Sequence, residues 1–291
     1  MIGLLENWIY YKMGRIQRKF DELRAKNEGA LIAYITGGDP NLATCKKILR
    51  TVEKHADIVE IGIPFSDPIA DGPVIQSAAE RALRAGMTPD RAFALIKHFR
   101  SYSDKPLVVL TYCNIVLQRG QVRFMREFAE AGGNGLIVAD LPVEESSDMR
   151  KAARAQGIDL VLLAAPTSPV ERIKKISNAS SGFIYLVSLL GVTGTRKELS
   201  ANLGDSIGRV RLGSTQTKVP LAVGFGISTP EHVAEVIKFG ADGAIVGSAV
   251  VRIIQENLEN ETIMLKKIDA LLGRMKVATG MQRNRRLTQN K

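Results

Sequence analysis

A glutamate, Glu60, stands inside the apolar run IVEIGIP, close to its downstream end. A carboxylate in such a run is either buried at high cost, which argues for use, or turned to water as an ordinary surface residue. The next segment, Pro64 to Pro73 (PFSDPIADGP), puts Asp67 and Asp71 in a loop held by three prolines. Aspartates in such loops ordinarily cap turns. Beside a carboxylate on a rigid strand, though, one of them can face the same small substrate from a different environment. Two environments separate the pKa values and allow separate acid and base roles.

A second constellation is built from glycine: Gly191-Val192-Thr193-Gly194, Gly224-Phe225-Gly226 and Gly247-Ser248, each after a β-branched run. Single glycines merely turn the chain. Sets at successive strand ends let backbone N–H groups approach an anion, and a short helix starting near Ser248 adds its positive end.

Other chemistries lack their residues. His55, His98 and His232 fall in helical stretches, which disfavours a histidine-based metal site. No lysine occupies a strand, so a Schiff base lacks its amine. Cys113 has no histidine at a comparable strand end to activate it, and packing is the simpler role. What remains is carboxylate acid–base chemistry on a phosphate-bearing substrate.

Eight short runs must position these groups: Ala30–Ile35, Asp57–Ile61, Pro106–Thr111, Gly135–Ala139, Leu160–Ala164, Gly182–Ser188, Val219–Val223 and Gly243–Val246. Between them most segments have helical period, as in Asp90–Tyr102, where Ala92, Phe93, Leu95, Ile96 and Phe99 form one stripe. Thr88-Pro89, Ser168-Pro169 and Thr229-Pro230 signal helix starts. Apolar strands covered on both faces and alternating with helices predict a single closed (β/α)8 TIM barrel; an open doubly wound sheet is the competing architecture, but no GxGxxG follows the first strand. Lys12–Asn27 reads as an extra N-terminal helix, with Ile16, Phe20 and Leu23 on one face. The glycine-rich, polar stretch Gly204–Lys218 reads as a sixth helix that is short at best. In a barrel the loops after the strands carry the active site, and those after strands seven and eight recurrently hold phosphate.

Composition agrees with one ordinary globular unit: 45% apolar, 24% charged, 26 Gly and 11 Pro. The domain reading is 1–291 as a single barrel, with an extension at 1–12 and a basic tail at 274–291. The net charge of +10 is concentrated at the ends, where residues 266–291 set eight Lys and Arg against Asp269 alone, so it does not argue for nucleic-acid binding. The longest uncharged run, Ile176–Thr195, is too rich in serine, glycine and Asn178 to enter hydrocarbon. Two cysteines and no secretory pattern point to the cytoplasm.

At these residues the chain resembles the tryptophan synthase α-subunit family. The matching segments are Tyr34–Pro40 (YITGGDP), Val59–Gln76 (VEIGIPFSDPIADGPVIQ), Thr111–Val116 (TYCNIV), Val138–Ser146 (VADLPVEES), Gly191–Arg196 (GVTGTR), Gly224–Ser228 (GFGIS) and Ala244–Ala249 (AIVGSA). They run in order from the first strand to the eighth.

The resemblance implies a lyase of tryptophan biosynthesis. It would cleave indole-3-glycerol phosphate to indole and glyceraldehyde 3-phosphate by retro-aldol chemistry, with no metal and no organic cofactor in this subunit. It implies that Glu60 delivers a proton to C3 of the indole and that Asp71 accepts the indole N–H. Gly194, Gly226, Gly247 and Ser248 match a backbone phosphate cradle. Tyr34, Leu110, Ile137, Tyr185 and Phe225 match the apolar walls, and Thr193 matches a loop residue that orients the aspartate on closure. The family further implies a PLP-dependent β subunit in an α2β2 heterotetramer, with Asp67 and the GVTG loop near the interface. Leu189 and Leu190, just before GVTG, are less polar than many relatives there. The alternative is a non-catalytic phosphate-binding barrel that regulates a partner enzyme; such a module has no need of the Glu60 and Asp71 pair.

Overall fold

The structure, a computed structural model, describes residues 14–187, 196–224 and 226–280, and for 196–202 the backbone alone. Thr193, Gly194, Phe225, Leu189, Leu190, the extension at 1–12 and the last eleven positions of the expected tail (281–291) lie outside the described residues.

All eight predicted strands form: β1 (Ala30–Thr36), β2 (Ile58–Gly62), β3 (Leu107–Thr111), β4 (Gly135–Val138), β5 (Asp159–Ala164), β6 (Ile184–Val187), β7 (Leu221–Gly224) and β8 (Gly243–Val246). They close in sequence order into one barrel, β1 pairing with both β2 and β8, and every pairing is parallel. The helices are α1 (Arg15–Ala25), α2 (Leu42–His55), α3 (Pro73–Arg84), α4 (Pro89–Arg100), α5 (Cys113–Arg119), α6 (Gln121–Ala131), α7 (Ser147–Ala155), α8 (Val170–Ala179), α9 (Arg196–Gly213), α10 (Pro230–Lys238), α11 (Ser248–Glu256) and α12 (Glu261–Ala278).

Strand period two divides the apolar residues between two cores. Leu31, Ala33, Val59, Ile61, Leu107 and Val109 face outward into the layer under the helices. Ile32, Tyr34, Ile58, Val108, Leu110, Ile137, Val161, Tyr185, Ala222 and Ile245 fill the barrel interior. Helix α1 closes the N-terminal mouth, since Ile16, Phe20 and Leu23 join the interior cluster and Phe20 meets Phe183 at 6.0 Å between ring centroids. The opposite mouth, where the strands end, is roofed by α3 and α11: Val74, Ile75, Ala78 and Val251 pack onto the same interior cluster.

The N-terminal rim is tied by a repeated device. Asp57, Asn134, Ser181 and Asp242, each just before an even-numbered strand, accept the N–H of Leu31, Leu107, Leu160 and Leu221 on the preceding odd-numbered strand, at 2.8–2.9 Å. Each pairing satisfies a strand-end donor that would otherwise be buried without an acceptor.

Three local readings need correction. Helix α9 is not short but spans 18 residues, Arg196–Gly213. Leu203, Ile207 and Val210 are buried at helical spacing. Its glycines let neighbours approach: a Cβ on Gly204 would sit 3.1 Å from the Phe239 ring, and one on Gly213 2.6 Å from Ile173. Close packing therefore overrides poor intrinsic propensity. The start of the expected basic tail is likewise built into the barrel. Helix α12 continues to Ala278, with Met275 buried, and Lys276 Nζ bonds Asp57 at 2.9 Å and Glu28 at 3.2 Å. Ser168 does not cap α8, whose N-cap is Pro169; its hydroxyl accepts the Ala165 N–H at 3.2 Å.

Candidate active site

Glu60 occupies an interior position of β2, between Tyr34 on β1 and Val108 on β3 in register. It is 1% exposed, and neither carboxylate oxygen has a hydrogen-bond partner among the described residues. An ion in such a place is penalised by lost hydration, so the group keeps its proton. Burial, reinforced by the charge of Asp71, pushes its pKa from the ordinary 4.5 to about 8.

Asp71 closes the loop between β2 and α3. That loop is braced by its own backbone, Ile69 N–H donating to Asp67 at 2.9 Å and Asp71 N–H to Pro68 at 3.0 Å. The Gln76 amide donates to the Asp71 carbonyl at 2.8 Å. The side chain is held separately: the Tyr112 hydroxyl donates to Asp71 Oδ2 at 2.9 Å and accepts the Ala70 N–H at 3.2 Å. Burial raises the Asp71 pKa above the ordinary carboxylate value, and the Tyr112 hydrogen bond offsets only part of that rise. Tyr112 is itself pushed up, by burial and then by the Asp71 charge, so it stays a donor. The two carboxyls thus stand in unlike surroundings, one dry and unpartnered, one hydrogen-bonded. Asp67 is different again, exposed and bonded to the Ser66 hydroxyl at 2.5 Å, which is the behaviour of a turn residue.

Tyr34, Leu110, Ile137 and Tyr185 are all buried and belong to the interior cluster on which the roof rests. Burial and the Asp71 and Glu60 charges raise both tyrosine pKa values, so the phenols remain neutral. The Tyr34 hydroxyl pairs with Thr36 Oγ1 at 3.2 Å. Two glycines make room for these rings. A Cβ on Gly62 would lie 2.2 Å from the Tyr34 hydroxyl oxygen, and one on Gly224 2.4 Å from that of Tyr185.

Of the glycine constellation, Gly247 is the N-cap of α11 and Ser248 its first residue, with no side chain satisfying the first-turn N–H groups. Those donors are available to an anion. A Cβ on Gly247 would fall 3.2 Å from the Tyr34 ring, so the glycine also keeps the wall against the helix start. Gly226, after β7, has φ +77°, a conformation that favours glycine. Among the described residues no three of His, Cys, Asp and Glu converge as a metal site.

Sequence reasoning expected Glu60, Asp71, the apolar walls and the α11 start at one end of the barrel; the structure places Glu60, Asp71, Tyr34, Leu110, Ile137, Tyr185 and the α11 start there, and Phe225 lies outside the described residues. It missed Tyr112, although TYCNIV contains it, and it missed Gly62 as the seat of Tyr34. It read Gly224 as part of an anion loop, whereas the missing side chain there is occupied by Tyr185.

A family model described as tryptophan synthase alpha chain matches residues 20–280. The tryptophan synthase alpha chain of Methanosarcina mazei is 50% identical over 249 residues, 85% of this chain and 89% of that one. Among solved structures, subunit alpha of tryptophan synthase from Legionella pneumophila superposes with a TM-score of 0.82 at 36% identity, covering 92% of this chain and 98% of that one. A tryptophan synthase complex from Pyrococcus furiosus gives 0.76 at 37% identity, covering 86% and 98%. With a family model matching residues 20–280, half the residues shared with such a relative and the fold superposing on a solved alpha subunit, the chain belongs to the tryptophan synthase alpha chain family.

Proposed function

We propose that this protein cleaves indole-3-glycerol phosphate to indole and glyceraldehyde 3-phosphate, with Glu60 and Asp71 as its acid–base groups. The buried, unpartnered carboxyl of Glu60 is the observation that carries the reading. Holding a proton at neutral pH, Glu60 gives it to C3 of the indole as the ring becomes electron-poor. Asp71, its carboxylate hydrogen-bonded by Tyr112, accepts the indole N–H and stabilises the positive charge that develops on nitrogen. The Glu60 carboxylate then takes the proton of the glycerol hydroxyl on the adjoining carbon. The C–C bond breaks, its electrons return to the ring, and an aldehyde forms. Glu60 ends protonated, as it began.

Tyr34, Leu110, Ile137, Tyr185 and Phe225 enclose the flat ring, and Gly194, Gly226, Gly247 and Ser248 receive the phosphate on backbone N–H groups, with α11 pointing its positive end at the dianion. Thr193 orients Asp71 when its loop closes. The chain works as one barrel domain (1–291), with an extension at 1–12 and a basic tail at 274–291, whose first residues end α12. No described helix is long and apolar enough to cross a membrane, and the enzyme acts in the cytoplasm. It partners a PLP-dependent tryptophan synthase β subunit as α2β2, to which indole passes. Incubation of the purified chain with indole-3-glycerol phosphate, scored for indole with and without a β subunit, tests the reading. Indole release that rises with added β subunit is expected; no indole in either arm overturns it.

A further inference from the structure

Asp39 and Arg81 form a charge pair that the reaction itself does not use. Arg81 Nε meets Asp39 Oδ1 at 2.8 Å and Nη2 meets Oδ2 at 3.0 Å, while Nη1 bonds Ser77 Oγ at 3.0 Å. The Asp39 side chain is 0% exposed and that of Arg81 18%.

The pair joins two elements that border the site. Asp39 lies in the turn that ends β1, where its N–H bonds Thr36 O at 3.2 Å and the Gly37 N–H bonds Gly62 O on β2 at 2.8 Å. The Gly38 N–H in the same turn donates to the buried Cys45 Sγ at 3.2 Å. This turn is thus fixed to the strands that carry Tyr34 and Glu60. Arg81 lies on α3, which starts two residues after Asp71 and roofs the barrel through Val74, Ile75 and Ala78. The Arg81 Cα stands about 12 Å along α3 from its first residue, at 1.5 Å per residue, and its guanidinium folds back onto Ser77, so the fork grips the body of the helix rather than the Asp71 loop.

A buried ion pair is weak evidence for stability, because desolvation cancels most of the attraction and an apolar pair of similar volume does as well. What a bidentate fork supplies is direction: two parallel bonds fix the angle as well as the distance. A small rotation of α3 at the Arg81 end moves Asp71 at the other.

We propose that the buried Asp39–Arg81 pair is the positioning device of this site, anchoring α3 to the end of β1 and so setting where Asp71 stands relative to Glu60. The inference rests on the reaction proposed above. Neither residue is catalytic; both act through Asp71.

The test uses the full-length chain and its Arg81→Lys, Arg81→Met and Asp39→Asn variants, with steady-state indole release from indole-3-glycerol phosphate and a thermal melt for each. Absence of indole from the unsubstituted chain both with and without a β subunit defeats the reaction assignment, and that is read before any variant. Given wild-type activity, kcat falls about tenfold or more in the folded variants while KM stays within about threefold, since a misplacement near 1 Å costs rate before binding. Arg81→Lys, which keeps charge but not the fork, lies between wild type and Arg81→Met. The double variant Asp39→Asn/Arg81→Met is no slower than the slower single one. A smaller fall in kcat, a KM rise that matches the fall, or losses that multiply in the double variant overturns the proposal. So does loss of the folded state in all three single variants, which makes the pair purely structural.

Discussion

Tyr112 donates its hydroxyl to Oδ2 of Asp71 at 2.9 Å, from a ring that is itself braced against Phe65 with centroids 5.2 Å apart. Glu60, at the end of the same barrel, has no such donor. This asymmetry separates two side chains of nearly identical intrinsic acidity: a hydrogen-bonded carboxylate ionises more readily than a dry one. Predictions for both carboxyls follow from it.

Glu60→Gln keeps the shape and removes the transferable proton. Indole release falls by about a thousandfold or more, within the range for loss of a positioned general acid. Binding of a glycerol phosphate analogue, measured calorimetrically, changes less than about threefold, because the phosphate site proposed above is at the start of α11, away from the Glu60 carboxyl. Turnover at the wild-type rate contradicts the role given to Glu60.

Stability should carry the same signature. The folded-state pKa of Glu60, about 8, lies above its ordinary 4.5, so the folded protein holds this proton more tightly than the unfolded chain. Its contribution is complete below about pH 4.5 and is lost as pH rises through 8. Urea melts of wild type and Glu60→Gln therefore diverge as pH is raised from 5 to 8, the variant becoming the more stable. A gap that stays constant with pH removes the buried proton from the account.

The rate profile has two limbs. kcat/KM falls above about pH 8 as Glu60 loses its proton, and falls in acid as Asp71 gains one. Asp71→Asn removes the acid limb and shifts the alkaline limb downward, because the Asp71 charge helps to hold the Glu60 proton. An alkaline limb that stays in place in Asp71→Asn uncouples the two groups.

Tyr112→Phe leaves Asp71 and the Ala70 N–H each short of a partner. A hydrogen bond to a charged group is worth about 1.5–3 kcal/mol, so kcat/KM falls about tenfold to a hundredfold and the acid limb moves to higher pH. Unchanged kcat/KM and an unmoved limb are the contrary result.

At the far rim, Asp57→Ala takes an acceptor from Leu31 N–H and a partner from Lys276. The cost is about 1–3 kcal/mol of stability, read from a denaturant melt, with kcat unchanged because the site is at the other mouth. A fall in kcat at full saturation runs against this separation of the two faces.

Much of the protein is determined by local sequence alone. Each of the eight strands is an apolar run bounded by turn residues, and parallel crossover helices follow from covering both faces of such strands. Glu60 is legible because a carboxylate interrupts a buried run, and Asp71 because proline holds its loop beside that strand.

Other features were decided only by the tertiary structure. Tyr112 reads as one more aromatic until the β2–α3 loop is brought to it. Gly62 and Gly224 read as ordinary or anion-binding glycines until Tyr34 and Tyr185 are seen in the space their side chains would occupy. Helix α9 reads as short at best when its glycines are weighed for propensity alone, without Phe239 and Ile173 packed against them. Lys276 looked like tail until Asp57, far away in sequence, met it. Periodicity reports which face of an element is buried, and it holds no information about which distant residue shares that face. Closing the barrel supplies that information, and the chemistry depends on it.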